Sequence, residues 1–340
     1  MLPLSSGVPL WSKRALRIAL PQLRTEPVDP RSGREGQPPR DRELSESELR
    51  YDEHVRSLGL GAYLDYPIGV GIETLARCNA ACDFCPYPTM PRKGERMDDA
   101  LIDKFVEELS AFPVDLPVSI NPARINEPLL DRRVLPMLLE IEERYPSMTI
   151  SLFSNGSTLT DGMLARLATL KRIGLLNISF NDHRPREYER TMQIPFERTV
   201  RNLDALHEVV SSGCLSAPAV HVSRVGDGTG ADGAFISWCR DRWPRFTARV
   251  SPRENWMGDL PISRVGGSVP IACAQWFKVQ FLASGKAAFC CIDSSGARGT
   301  GDLNDMHILE VYNLPERRRL RTRVVSRTEI PECGPCSLMA

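Results

Sequence analysis

The sequence predicts an α/β fold: an open, partial (β/α)6 barrel over residues 51–262, followed by a smaller α+β module over residues 263–340. Three observations predict it. Short apolar, strand-like runs alternate with segments of helical periodicity from Tyr51 to about Pro261, the signature of β/α units that build a parallel sheet. Six such strands are found, too few to close an eight-stranded TIM barrel. Beyond Pro261 glycine and proline increase and Cys273, Cys290, Cys291, Cys333 and Cys336 appear, which marks a change of module.

Residues 1–50 read as an irregular extension and linker, because residues 25–48 hold almost no large apolar side chain. Residues 11–23 read as a frayed segment resting on its own domain, with a short basic amphipathic helix as the other reading. Residues 69–76 form the first strand and run into a cysteine-bearing loop. Asp98 then caps a helix with Leu101, Ile102, Phe105, Val106 and Leu109 on one face. Residues 116–121 make the second strand, followed by a helix carrying Val134, Leu135, Leu138 and Ile141. Strands at 148–153, 174–180, 219–224 and 246–250 complete the set, with helices at 160–170, 195–211 and 231–243. A barrel of this kind places its reactive centre at the carboxyl ends of the strands.

Lys+Arg and Asp+Glu balance at 43 each, so no net field recruits nucleic acid or an acidic membrane. No window is long and apolar enough for a transmembrane segment. Ten cysteines without a secretory signal, in a chain of 340 residues, fit a reduced cytoplasmic setting better than a disulfide framework. Cys214 and Cys239 read as small buried hydrophobes, and Asp293, Arg190 and Arg224 as polar pocket residues or, more simply, structural ones.

Cys78, Cys82 and Cys85 follow a Cys-x3-Cys-x2-Cys spacing with no histidine nearby. A closed zinc site uses four ligands. A cubane [4Fe–4S] cluster held by three thiolates keeps one iron open for a ligand that is not protein. The loop, with Phe84 between its last two cysteines, resembles that of the radical SAM superfamily, which has Cys-x3-Cys-x-aromatic-Cys after the first strand. The resemblance implies that the open iron binds the amino and carboxylate groups of S-adenosylmethionine (SAM). It implies also that an electron from a donor such as flavodoxin or ferredoxin cleaves SAM to a 5′-deoxyadenosyl radical, which abstracts a substrate hydrogen.

Further motifs occur in the family's order. Asn126-Glu127-Pro128 stands where the family commonly has Gly-Glu-Pro, whose acidic residue helps hold the SAM amino group; asparagine tolerates the left-handed backbone that the lost glycine supplied. Ser154-Asn155-Gly156 looks like the ribose-contact turn, and Ser179 to Asp182 like another SAM-side segment. Taken alone, Asn-Gly is an ordinary turn and Ser179 an ordinary strand residue.

Cys273, Gly285, Cys290 and Cys333-x-x-Cys336 resemble the SPASM/twitch extension of many radical SAM enzymes, with hairpin strands at 276–281 and 287–290. The resemblance implies a twitch module with one auxiliary [4Fe–4S] cluster on Cys273, Cys290, Cys333 and Cys336; a zinc ribbon on the same four cysteines is the competing reading. Cys291 reads as a hydrogen-atom donor to a substrate radical or as a passive neighbour. Together these features point to oxidation or epimerisation of an unactivated carbon in a small polar metabolite, such as a sugar or aminocyclitol in natural-product biosynthesis. Two readings compete: maturation of a ribosomally made peptide, and a non-catalytic zinc-binding interaction protein.

Overall fold

A computed structural model describes residues 44–217, 219–261, 269–323, 326–334 and 336. The expectation for residues 11–23 lies outside them. The first element, α1 (Glu46–Leu58), starts earlier than the linker reading allowed. Ser45 Oγ accepts the Glu48 N–H and the Glu48 carboxylate accepts the Ser45 N–H, a reciprocal cap that fixes the helix start inside a polar stretch. Val55 and Leu58 bury this helix against Trp276 and Phe277 of the carboxyl-terminal region, and Asp52 accepts the Ala272 N–H at 2.7 Å.

Six parallel strands follow in sheet order: β1 (Gly69–Ile72), β2 (Val118–Asn121), β3 (Met148–Ser154), β4 (Ile173–Ser179), β5 (Val220–Val225) and β6 (Thr247–Ser251). Their helices are α2 (Asp99–Glu108), α3 (Val134–Arg144), α4 (Asp161–Leu167), α5 (Pro185–Met192), α6 (Phe196–Ser211) and α7 (Gly230–Arg242). Burial alternates along the strands with period 2. Val118, Ile120, Ile150 and Leu176 face the helices, which cover them with Phe105, Leu138 and Leu203 in one continuous core. The opposite, concave face is largely polar and carries Ser119, Asn121, Ser151, Asn177 and Ser223.

The first strand is shorter than expected, ending at Ile72 because the chain then turns into the loop where Glu73 is buried beside Arg92. α4 ends at Leu167 rather than at 170. α5 was not expected at all: only Tyr188 and Met192 of its eight residues are buried, so its apolar stripe is faint in sequence.

The hairpin at the carboxyl end is not a free-standing layer. β7 (Lys278–Phe281) pairs in parallel with β1, and β8 (Ala287–Ala288) pairs antiparallel with β7, giving the sheet order β6-β5-β4-β3-β2-β1-β7-β8. Val279, Phe281, Leu303 and Ile308 therefore belong to the same core as the barrel strands. Two further helices, α8 (Ile308–Tyr312) and α9 (Pro315–Arg323), close this end. Arg321 lies 3.6 Å above the Tyr312 ring centroid, a buried cation held by an aromatic face.

Gly299 is packed hard against β8: a Cβ there would stand 1.7 Å from the Ala287 carbonyl oxygen, which is backbone and cannot rotate away. Gly299→Ala is accordingly expected to cost about 3 kcal/mol of stability, read as a lower urea midpoint, because the hairpin must shift as a unit. An unchanged midpoint would mean that this edge yields freely.

Candidate functional site

The site is built on the loops that leave β1, β2, β3 and β4 at the carboxyl end of the sheet. Cys78, Cys82 and Cys85 are all half-buried on the first of these. Burial is the main cause that pushes their thiols up, Cys85 to about 11, and their mutual proximity adds to it: Cys85 and Cys78 both raise Cys82. The Ala80 N–H donates to Cys78 Sγ at 3.4 Å and the Asn155 amide approaches the same sulfur at 3.9 Å. Donors aimed at a sulfur favour its thiolate form and tune a cluster bound to it.

The loop is docked from outside by α5. The Ala81 N–H donates to the Met192 carbonyl at 3.1 Å and the Asp83 N–H to the Thr191 carbonyl at 3.3 Å. Phe84 is half-buried; its carbonyl accepts the Trp256 indole N–H at 2.9 Å, and the Arg253 guanidinium lies 5.8 Å from its ring centroid.

The expected turn residues come together around Glu127, which is 2% exposed. Its carboxylate accepts the Asn155 N–H at 2.7 Å, the Ser154 hydroxyl at 3.0 Å, the Leu129 N–H at 3.3 Å and the Thr158 hydroxyl at 3.4 Å. Three of these donors converge on Oε1, and Oε2 takes only the Asn155 N–H. Glu127 thereby braces the neighbouring turn, and its Oε2 keeps a lone pair for a further donor. Burial pushes its pKa up to about 7 against the pull of those donors.

Asn126 does not use left-handed backbone; its side-chain oxygen accepts the Arg124 N–H at 2.7 Å and secures the turn that way. Gly156 does need its freedom: φ is +77° and a Cβ would meet Ile178 at 3.1 Å. Asn155 links this turn to the cysteine loop, its amide donating to Asn79 Oδ1 at 2.8 Å, while Asn79 donates to Ser157 Oγ at 2.8 Å. Ser179 ends β4 on the concave side.

The four carboxyl-terminal cysteines are brought together. Cys273, Cys290, Cys333 and Cys336 line one small cavity walled by Met257, Trp276, Phe289 and Ile292. Cys291 does not line it. That thiol, pushed up to about 11 by burial first and by Cys273 next, lies beside Arg124 and Lys278, whose charges pull the other way. Among the described residues no three His, Cys, Asp or Glu side chains converge on a single-ion site.

Other candidates are structural. Asp293 accepts the Phe289 N–H at 2.9 Å. Arg190 is exposed and pairs with Glu187. Arg224 is buried among Asp182, Asp227 and Asp232. Burial raises Asp182, but Arg184 and Arg224 outweigh it and hold the carboxyl at about 2. Cys239 is buried as expected, whereas Cys214 is exposed on the turn after α6.

Sequence reasoning missed the joint between the two cysteine regions. Arg124 donates to the Gln280 side chain, to the Cys290 carbonyl at 3.1 Å and to the Asp293 carbonyl at 2.9 Å. Buried Arg92 pairs with Glu73 and donates to the Ser294 carbonyl at 2.8 Å. Trp256 packs on one side against the core group of Ala76, Met90, Ile125 and Ala283, to which Cys85 also belongs at its edge, and on the other against Met257, Ile292 and Cys336, beside Cys290 and Cys291.

These features define a partial-barrel α/β fold with a cysteine loop after its first strand. Residues 72–221 match the family model of the radical SAM superfamily. No curated protein matches the chain by sequence. Among solved structures it is similar to Streptococcus suis SuiB bound to precursor peptide SuiA, with a TM-score of 0.60 and 14% identity over 86% of this chain and 75% of that one. It is similar also to BtrN in complex with AdoMet and 2-DOIA, with a TM-score of 0.51 and 16% identity over 80% and 93%. A third is native anSMEcpe with bound AdoMet, with a TM-score of 0.50 and 12% identity over 78% and 84%. At these identities the likeness is one of fold. Among the described residues no helix is long and apolar enough to cross a membrane.

Proposed function

We propose that the protein is a radical SAM enzyme that oxidises or epimerises an unactivated carbon of a small polar metabolite of sugar or cyclitol type. Cys78, Cys82 and Cys85 would hold a [4Fe–4S] cluster, with SAM against the turns at Asn126-Glu127, Ser154-Asn155-Gly156 and Ser179. Cys273, Cys290, Cys333 and Cys336 would hold a second cluster in a twitch-like module. When bound, the first cluster and SAM supply the radical that abstracts a substrate hydrogen. The chain's own contribution is placement: Glu127 braces the turn at Ser154 and Asn155, Asn155 ties that turn to Cys78, and α5 fixes the loop against the barrel rim.

The observation that carries the substrate class is the polar concave face, lined by short hydroxyl and amide side chains such as Ser119, Asn121, Ser151 and Asn177. Such a wall offers hydrogen bonds to a hydroxylated metabolite. For epimerisation Cys291 is the donor candidate, since burial keeps its thiol protonated beside the inward-facing Lys278. A peptide substrate is the second reading, favoured by the likeness to SuiB in its peptide-bound form.

Anaerobic reconstitution with iron and sulfide tests the core of this reading: about eight irons per chain are expected, with 5′-deoxyadenosine formed from SAM under reducing conditions. Zinc alone and no 5′-deoxyadenosine would overturn it. With a turned-over substrate, deuterium uptake from heavy water that is lost in Cys291→Ala marks epimerisation. A product two electrons more oxidised, without uptake, marks dehydrogenation.

A further inference from the structure

The concave face has a charge pattern that a neutral sugar does not explain. Ile178, Val222 and their neighbours Ala248 and Val250 pack into the helix-side core, so His221 on β5 and Arg249 on β6 face the other way. On β7, Lys278 shares this concave side: its stem lies 3.8 Å from where a Gly69 Cβ would stand. No strand residue among the described inward positions is Asp or Glu. The concave face is therefore cationic, in a chain whose total charge is balanced.

Arg249 is central to this pattern. It stands opposite Ser223 in the β5–β6 register, with His221 its diagonal neighbour. It is half-buried, and burial alone lowers its pKa; among the described residues no carboxylate is close enough to act in the opposite sense. Burial and the Arg249 charge together hold His221 down to about 4, so its ring is neutral near pH 7 and free to act as a hydrogen-bond donor. The carboxylates just after β1, β2 and β4 have partners already: Glu73 pairs with Arg92, Glu127 braces the β3 turn, and Asp182 pairs with Arg184 and Arg224. A half-buried guanidinium without a counter-charge has lost hydration and gained nothing in return, which an incoming oxyanion would reverse with a charge-assisted, bidentate contact.

We propose that Arg249, with His221 beside it, forms an oxyanion-binding subsite, so that the substrate is a small metabolite bearing a carboxylate or phosphoryl group. This rests on the reading of the concave face as the substrate pocket. An amino-substituted cyclitol, cationic at neutral pH, would meet like charge there and is disfavoured.

The test is calorimetric titration of the reconstituted holoenzyme, saturated with SAM, with four matched probes: glucose, glucosamine, glucuronate and glucose 6-phosphate. Glucuronate or glucose 6-phosphate is expected to bind at least about tenfold tighter than glucose and glucosamine. The better of the two anions tells carboxylate from phosphoryl recognition. Arg249→Gln should remove the preference and Arg249→Lys retain part of it, while Arg201→Gln, on the outer helix α6, should leave it intact. Equal binding of charged and neutral probes, a preference that survives Arg249→Gln, or binding of an acidic peptide but of neither anion would overturn the proposal. The same preparation is assayed for iron and 5′-deoxyadenosine. Failure there sinks the proposed function; loss of the charge preference in a preparation that passes sinks this inference alone.

Discussion

Replacing Cys78, Cys82 and Cys85 together by alanine is expected to halve the iron of the reconstituted chain, from about eight to about four per chain, and to bring 5′-deoxyadenosine formation to background. The two cysteine sets sit in different surroundings, which is why the losses should be separable. The first set lies on the loop after β1, tied to α5 and to Asn155. The second lines a cavity with Met257, Trp276 and Phe289. The converse variant, Cys333→Ala with Cys336→Ala, should lose the same amount of iron and keep SAM cleavage. The loop is held largely by backbone hydrogen bonds, so the first variant should remain folded, which circular dichroism can verify. If either variant loses all iron, or if the first still cleaves SAM, the assignment of three thiols to the reactive site and four to a supporting one is wrong.

What could be read from the sequence was local. Cys-x3-Cys-x2-Cys, Asn155-Gly156 and the six strands are patterns within a few residues, and each reappears in the structure at the carboxyl end of its strand or as a strand with edges moved by a few positions. The cap at Ser45 and Glu48 was equally local, but it lies in a polar stretch whose composition argued against structure. Long-range pairing was out of reach. The hairpin signal around Gly285 is plain, yet nothing near it says that β7 runs parallel to β1 and extends the barrel. Gly69 and Gly71 become intelligible only then, because a Cβ on Gly71 would stand 3.2 Å from the Gln280 side chain on the neighbouring strand. Arg124 and Arg92 escaped for the same reason: the partners of the Arg124 side chain are 156 or more residues away, and the Ser294 carbonyl that Arg92 reaches is 202 away. Glu127 was found through its motif, but the direction of its carboxylate depends on the next strand's turn.

That direction has a measurable consequence, expected in the pH dependence of stability. Burial raises Glu127 from its ordinary carboxyl range to about 7 in the folded protein. Between about pH 4.5 and 7 the native state then keeps a proton that the unfolded chain has released. Stability must fall as pH rises through this window and level off above about pH 7. A rise of this size corresponds to at most about 3 kcal/mol. In Glu127→Gln the group does not titrate; the amide oxygen can still accept the Asn155 N–H, and the Ser154 hydroxyl can turn to accept from the amide. The stability difference between wild type and Glu127→Gln, measured by urea unfolding at a series of pH values, should therefore shift against the wild type by up to that amount between pH 4.5 and 7.5. Parallel curves would mean that Glu127 is ionised throughout. Saturating SAM separates the brace from a direct ligand. A carboxylate that takes the cofactor's ammonium becomes easier to ionise and loses the slope. One that stays turned onto Asn155, Ser154, Leu129 and Thr158 keeps it, and that is the outcome expected here.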